Sequence, residues 1–173
     1  VPAYEQAEFL ASTDERFRPV NIVNGPDGAL YIVDMYRGII QHRMFVTSFL
    51  RKQIKARGLE KPLGLGRIWR VVPDNNPTRV IPNLSTLTQL ELVSYIQHSN
   101  GSVRDMAQRL LVESTKPQPE VISVLEKIAA TAELDRDRIK ALWTLQGMGR
   151  LSKKLVVSSL KDSHPIVRTH AIR

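Results

Sequence analysis

Three copies of an Arg-x-x-Ala step constrain this chain more than any other feature. Arg104-Asp105-Met106-Ala107, Arg138-Ile139-Lys140-Ala141 and Arg168-Thr169-His170-Ala171 set their arginines 34 and then 30 residues apart. Around them apolar residues recur at helical spacing. Leu87, Leu90, Val93 and Ile96 form one stripe, and Val103, Met106, Ala107, Leu110 and Leu111 a second. Val121, Val124, Leu125 and Ile128 make a third, Ile139, Leu142, Trp143 and Leu145 a fourth. Leu151, Leu155, Val156 and Leu160 follow, and a sixth stripe opens at Ile166 after Asp162-Ser163-His164-Pro165. Paired helices repeating at this period predict an α-α superhelix, because one pair cannot bury its apolar face alone and stacks on the next. The small Ala lets helices approach. The Arg is placed to satisfy carbonyls near the turn or to pair with an Asp of an adjacent repeat. Trp143, inside a stripe, reads as core, and His164, before Pro165 at a helix start, reads as structural.

Upstream the rhythm is different. Val20, Ile22 and Val23 lead into Gly25-Pro26-Asp27-Gly28, and Ala29-Leu30-Tyr31-Ile32-Val33 follows. Two β-prone runs around a Pro-Asp-Gly turn predict an antiparallel hairpin, with Gly28 free to take a positive φ. Apolar residues on both faces of the second run predict a strand covered on both sides. Phe45, Phe49, Leu50 and Ile54 recur at helical spacing, so a helical insertion is expected there, stopped near Gly58. Arg67-Ile68-Trp69-Arg70-Val71-Val72 alternates polar and apolar, as a strand does, and ends at Pro73. The residues from Pro73 to Asn83 hold three prolines and the pair Asn75-Asn76. The expected division is a sheet-forming segment over 1–74, a linker over 75–83 and a helical array over 84–173.

The net charge of +8 is concentrated in 16–72, where eleven Lys or Arg face three acids. Such a segment suits an anionic partner, or is balanced elsewhere in a longer protein. A nucleic-acid partner is not expected, since no aromatic platform is interleaved with the basic residues. The chain has no Cys, which excludes disulfides and thiolate metal sites within it. No apolar run reaches the roughly 20 residues of a membrane helix. The start at Val1-Pro2-Ala3 lacks a signal-peptide pattern, and both ends read as cut.

Two resemblances add to this reading. Asp162-Ser163-His164-Pro165-Ile166-Val167-Arg168 resembles the HEAT-repeat consensus, with Asn100-Gly101-Ser102-Val103-Arg104 a weaker copy. Asp14-Glu15-Arg16-Phe17-Arg18-Pro19-Val20, the hairpin through Asp34, Tyr36-Arg37-Gly38-Ile39-Ile40-Gln41-His42-Arg43 and Gly66-Arg67-Ile68-Trp69-Arg70-Val71 together resemble the last part of a glucose/sorbosone dehydrogenase-like β-propeller. They are most similar to the large bacterial membrane-bound dehydrogenase proteins of planctomycetes and their relatives. The fold class expected is therefore a partial β-propeller blade with a helical insertion, followed by an α-α superhelix of HEAT-type repeats.

That resemblance implies a parent oxidoreductase acting on a sugar or alcohol. It implies pyrroloquinoline quinone in the parent and haem c in a downstream cytochrome-type domain, with no cofactor held within this stretch. The remaining blades and that domain would be its partners, in the periplasm or cell envelope. Arg16 and Arg18 precede the first strand and Asp34, Tyr36, Arg37, Gln41 and His42 follow the second, so both groups are expected on one face. His42 could take a proton from a hydroxyl, and Arg18 could hold an anionic quinone or stabilise developing charge. No His pair has metal-ligand spacing, and no metal site is expected. The structural alternative has Asp34 capping a loop, Arg18 pairing with an acid and His42 donating a hydrogen bond. The functional alternative is a non-catalytic module that binds glycan or protein.

Overall fold

The structure is a computed structural model that describes residues 7–74 and 80–172. Residues 75–79 of the expected linker lie outside the described residues, as do 1–6 and 173. The chain separates into two compact units, Val1–Gly25 with Ala29–Pro77, and Pro26–Gly28 with Thr78–Arg173.

The first is a sheet unit. Strands β1 (Pro19–Asn24), β2 (Leu30–Asp34) and β3 (Arg67–Val71) lie in the order β1-β2-β3, both pairings antiparallel. The hairpin turn closes where Gly25 N–H donates to the Ala29 carbonyl at 2.8 Å, and Gly28 has φ 81°. The register sets Ile22 opposite Ile32, with a bulge between Pro19 and Asn21. On the other side Ile32 faces Trp69 and Asp34 faces Arg67. Helix α1 (Ser48–Ala56) sits between β2 and β3 in the chain, and its N-cap Thr47 accepts from Leu50 N–H. Of the apolar stripe expected there, only Ile54 is buried, while Phe45 and Phe49 are 79% and 71% exposed. Strand β2 is covered less than expected too: Ile32 and Asp34 are buried, and Leu30, Tyr31 and Val33 are half-buried. All six residues of β1 are exposed. Among the described residues the buried apolar side chains of this unit are Ala29, Ile32, Val46 and Ile54.

The second unit holds α2 (Gln89–Tyr95), α3 (Gly101–Val112), α4 (Pro119–Thr131), α5 (Asp135–Gly147), α6 (Lys153–Ser159) and α7 (Pro165–Ile172). Their starts are chemically specified. Thr88 and Glu91 form a reciprocal capping box, Asn100 accepts from Ser102 N–H, Pro119 opens α4 and Ser152 accepts from Leu155 N–H. The core runs through every helix as one cluster. In α3 it takes Val103, Ala107 and Leu111, and in α4 Val121, Leu125 and Ala129, each set at i, i+4, i+8. The alanines at 107, 129 and 141 are almost wholly buried, which lets the helices pack closely.

The three arginines of the repeated step act alike. Arg104 Nη1 donates to the carbonyls of His98 and Ser99 at 2.6 and 2.9 Å. Arg138 does so to Ala132 and Glu133 at 2.6 and 2.9 Å, and Arg168 to Asp162 and Ser163 at 2.7 and 3.0 Å. Each therefore ties the turn before its helix to that helix. Arg138 also reaches Asp162, with Nη2 donating at 3.1 Å and Nε lying 3.0 Å from the other oxygen.

The fold class expected from the sequence is corrected by this arrangement. The described residues hold one three-stranded sheet, where a propeller needs a series of four-stranded blades. The helices run from 7 to 13 residues and share one core, which is not a clear series of equal HEAT repeats. Periodicity records which faces are apolar, and it does not count the strands of a sheet or equalise helix lengths. Trp143 is corrected as well. It is 38% exposed, one residue past buried Leu142 on α5, and its indole N–H donates to His170 Nδ1 at 3.0 Å. His164 lies 3.4 Å from the Asp135 carboxylate through Nδ1, and its backbone N–H donates to Asp162.

Candidate functional site

Asp34 ends β2 and is the centre of the sheet unit's polar chemistry. Its side chain is fully buried. Oδ1 accepts from Arg18 N–H at 2.8 Å and Tyr36 N–H at 2.9 Å, and Oδ2 accepts from the Trp69 indole at 3.1 Å. Arg67 Nε lies 3.8 Å from Oδ2. Burial pushes this carboxyl up, but the Arg18 N–H, the Trp69 indole, the Tyr36 N–H and the Arg67 charge outweigh it and hold the group below its ordinary value. A carboxylate that resists protonation and has its oxygens engaged in this way is a poor proton acceptor. It is a joint: it fastens the segment entering β1 to the segment leaving β2.

Tyr36 extends the joint. Its φ is 48°, in the left-handed region that bulky residues avoid. Three contacts hold it there. Its N–H meets Asp34, its hydroxyl donates to Asp14 Oδ2 at 2.7 Å, and the Arg67 guanidinium carbon lies 3.6 Å from its ring centroid. The Arg16 N–H and the Tyr36 hydroxyl hold the Asp14 carboxyl below its ordinary value. The Arg16 side chain reaches further, donating to the carbonyls of Gly58 at 3.0 Å and Lys61 at 3.1 and 3.2 Å. Arg57 pairs with Glu15 at 2.8 Å beside it.

Arg37 and Gln41 go elsewhere. With α1 they line a cleft of about 230 Å³ whose wall includes Arg51, Lys55 and Glu60. Gly38 lines the same cleft and is packed against Leu59. A Cβ there would stand 2.5 Å from the Leu59 carbonyl oxygen, so no larger residue fits without movement. His42 is not in the cleft wall. It is exposed, its Nδ1 accepts from Met44 N–H at 3.4 Å, and its ring meets Phe45 edge-on with centroids 6.2 Å apart.

The structure thus brings Arg16, Arg18, Asp34 and Tyr36 together, as their places before β1 and after β2 suggest. It sets Arg37 and Gln41 on a separate cleft and leaves His42 apart from both. The Arg18 side chain donates to its neighbour's carbonyl, Nη1 lying 3.4 Å from Phe17 O, while its backbone N–H binds Asp34. Asp14, Arg67 and Trp69 belong to the Asp34 cluster and Arg51 and Lys55 to the cleft, yet none stands out in the sequence. A signal for Arg67 and Trp69 did exist, since pairing β2 with β3 sets both on the strand facing Asp34. Among the described residues no three His, Cys, Asp or Glu side chains group as metal ligands, and no helix is long and apolar enough to cross a membrane.

Residues 2–75 match a family model described as "Domain of unknown function (DUF7133)". The matched stretch holds every residue of the Asp34 cluster and of the cleft. No curated protein and no solved structure matches the chain.

Proposed function

We propose that this chain is a non-catalytic binding module for glycan or protein, making contact through its basic sheet unit. One observation carries this reading: the acids and aromatics that would form a catalytic set are bonded to one another. Asp34, Tyr36, Asp14 and Arg16 join three stretches of backbone. The cationic excess of 16–72 supplies the attraction for an anionic partner surface. The 173-residue chain should bind a purified acidic polysaccharide or acidic protein saturably, and more weakly as salt rises. Binding to neither, or equal binding to neutral polysaccharide at all salt concentrations, would reject it.

A second reading keeps the sugar or alcohol oxidoreductase of the resemblance. It rests on His42, whose exposed ring accepts from Met44 N–H through Nδ1. The expected residues are divided between the Asp34 cluster, the cleft and the exposed His42, and pyrroloquinoline quinone would be the cofactor of the parent. Haem c would belong to a further domain. Dye reduction with sugars and alcohols in the presence of the quinone decides between the two readings. Turnover that disappears in His42→Ala favours the second, and its absence leaves the first.

A further inference from the structure

The cleft beside α1 combines two kinds of surface that a folded chain ordinarily keeps apart. Its apolar lining includes the half-buried Ile39 and Leu59 and the exposed Leu63, over the buried Val46 and Ile54. Its wall carries Arg37, Arg51 and Lys55 against one carboxylate, Glu60. Among the described residues neither Arg37 nor Lys55 forms an ion pair. Arg37 and Lys55 both line this concavity, so their charges repel across it, and an apolar lining strengthens that repulsion by excluding water. A bound anion removes the cost.

The volume and lining narrow the choice of anion. About 230 Å³ lies below the roughly 300–1,000 Å³ of sites for drug-sized ligands, so the occupant is small. No aromatic ring lines the cleft, which leaves a sugar face without a stacking surface. Bare phosphate would satisfy the cations and leave the apolar lining wet. A neutral alkyl compound would cover that lining and leave the cations unmatched. We propose that the cleft binds a small amphiphilic carboxylate of about the size of hexanoate, with its carboxylate held by Arg37 and Lys55 and its alkyl body on Ile39, Leu59 and Leu63.

Calorimetry on the full chain tests this with hexanoate, hexanamide and inorganic phosphate. Hexanoate should bind saturably, and hexanamide at least about tenfold more weakly. Arg37→Gln and Lys55→Gln should each weaken hexanoate about tenfold with the circular dichroism unchanged. Lys52→Gln, on α1 but outside the cleft, should leave it unaltered. The proposal is overturned if hexanoate gives no saturable heat, if hexanamide matches it, or if phosphate binds as tightly. It is overturned equally if K52Q weakens binding as much as K55Q. The ligand series on the unaltered chain decides the matter even where a variant fails to fold.

Discussion

At the scale of single residues, Asp34 shows how a buried charge can be structural. Its oxygens meet two backbone N–H groups and an indole, so the carboxylate is solvated by protein in place of water. Asp34→Asn puts an amide where one oxygen stood and turns an acceptor into a donor facing a donor. It should destabilise the sheet unit by about 1–3 kcal/mol, read as a lower urea midpoint. The pH dependence follows from the same contacts. The folded carboxyl sits below its unfolded value of about 3.9, so its contribution is complete above that value and is lost as pH falls through the folded pKa. Amide exchange at Leu30–Asp34 should therefore be steady from neutral pH to about pH 5, once corrected for its intrinsic rate, and accelerate below about pH 4. Asp34→Asn should flatten that profile. An acid response of equal size in the variant would show that another group controls it.

At the scale of elements, the helical unit repeats one device three times. The fourth residue of each second helix is an arginine that turns back to two carbonyls of the preceding turn. The middle copy is the most elaborate, because Arg138 also holds Asp162 near the start of α7. Burial pushes the Asp162 carboxyl up, but the His164 N–H and Arg138 outweigh it and hold it low. Asp162→Ala removes this partner and the cap on His164 N–H together. It should cost about 1–3 kcal/mol and raise exchange in the first turn of α7 before that of α3. Much of this was legible in the sequence. The hairpin, the helix at 48–56, the strand at 67–71 and six helices followed from local spacing and turn chemistry, as did the use of arginine near the turns. What was not legible was how the pieces combine. Leu90 follows a three-residue spacing that drifts off a 3.6-residue helix, and it is 50% exposed while Leu92 is buried. Phe45 and Phe49 match the pattern of a buried stripe, but the small sheet unit buries only Ile54. The candidate site divides in the same way. Asp34 and Tyr36 were visible beside the turn signals, whereas Asp14 and Trp69 reach Asp34 or Tyr36 across 22 and 35 residues of chain. Only register and loop path bring them there.

At the scale of the whole molecule, the two units differ in what holds them. The helical unit has one apolar core from Leu84 to Val167. Among the described residues the sheet unit buries four apolar side chains, Ala29, Ile32, Val46 and Ile54, and depends on the Asp34 and Arg16 contacts for the rest. Apolar burial scales with size, and a small core leaves a small margin. Urea should therefore open β1–β3 at a lower concentration than α3–α5, seen as two separate groups of amide-exchange midpoints. A single shared midpoint would mean that the units unfold as one. The chain contains its own pair of optical reporters for this question. Its two tryptophans are divided between the units, Trp69 bonded to a carboxylate and Trp143 to an imidazole. Replacing either one by phenylalanine leaves an emission spectrum that belongs to a single unit. Fluorescence from the two single-tryptophan proteins then follows each half of the molecule without a label.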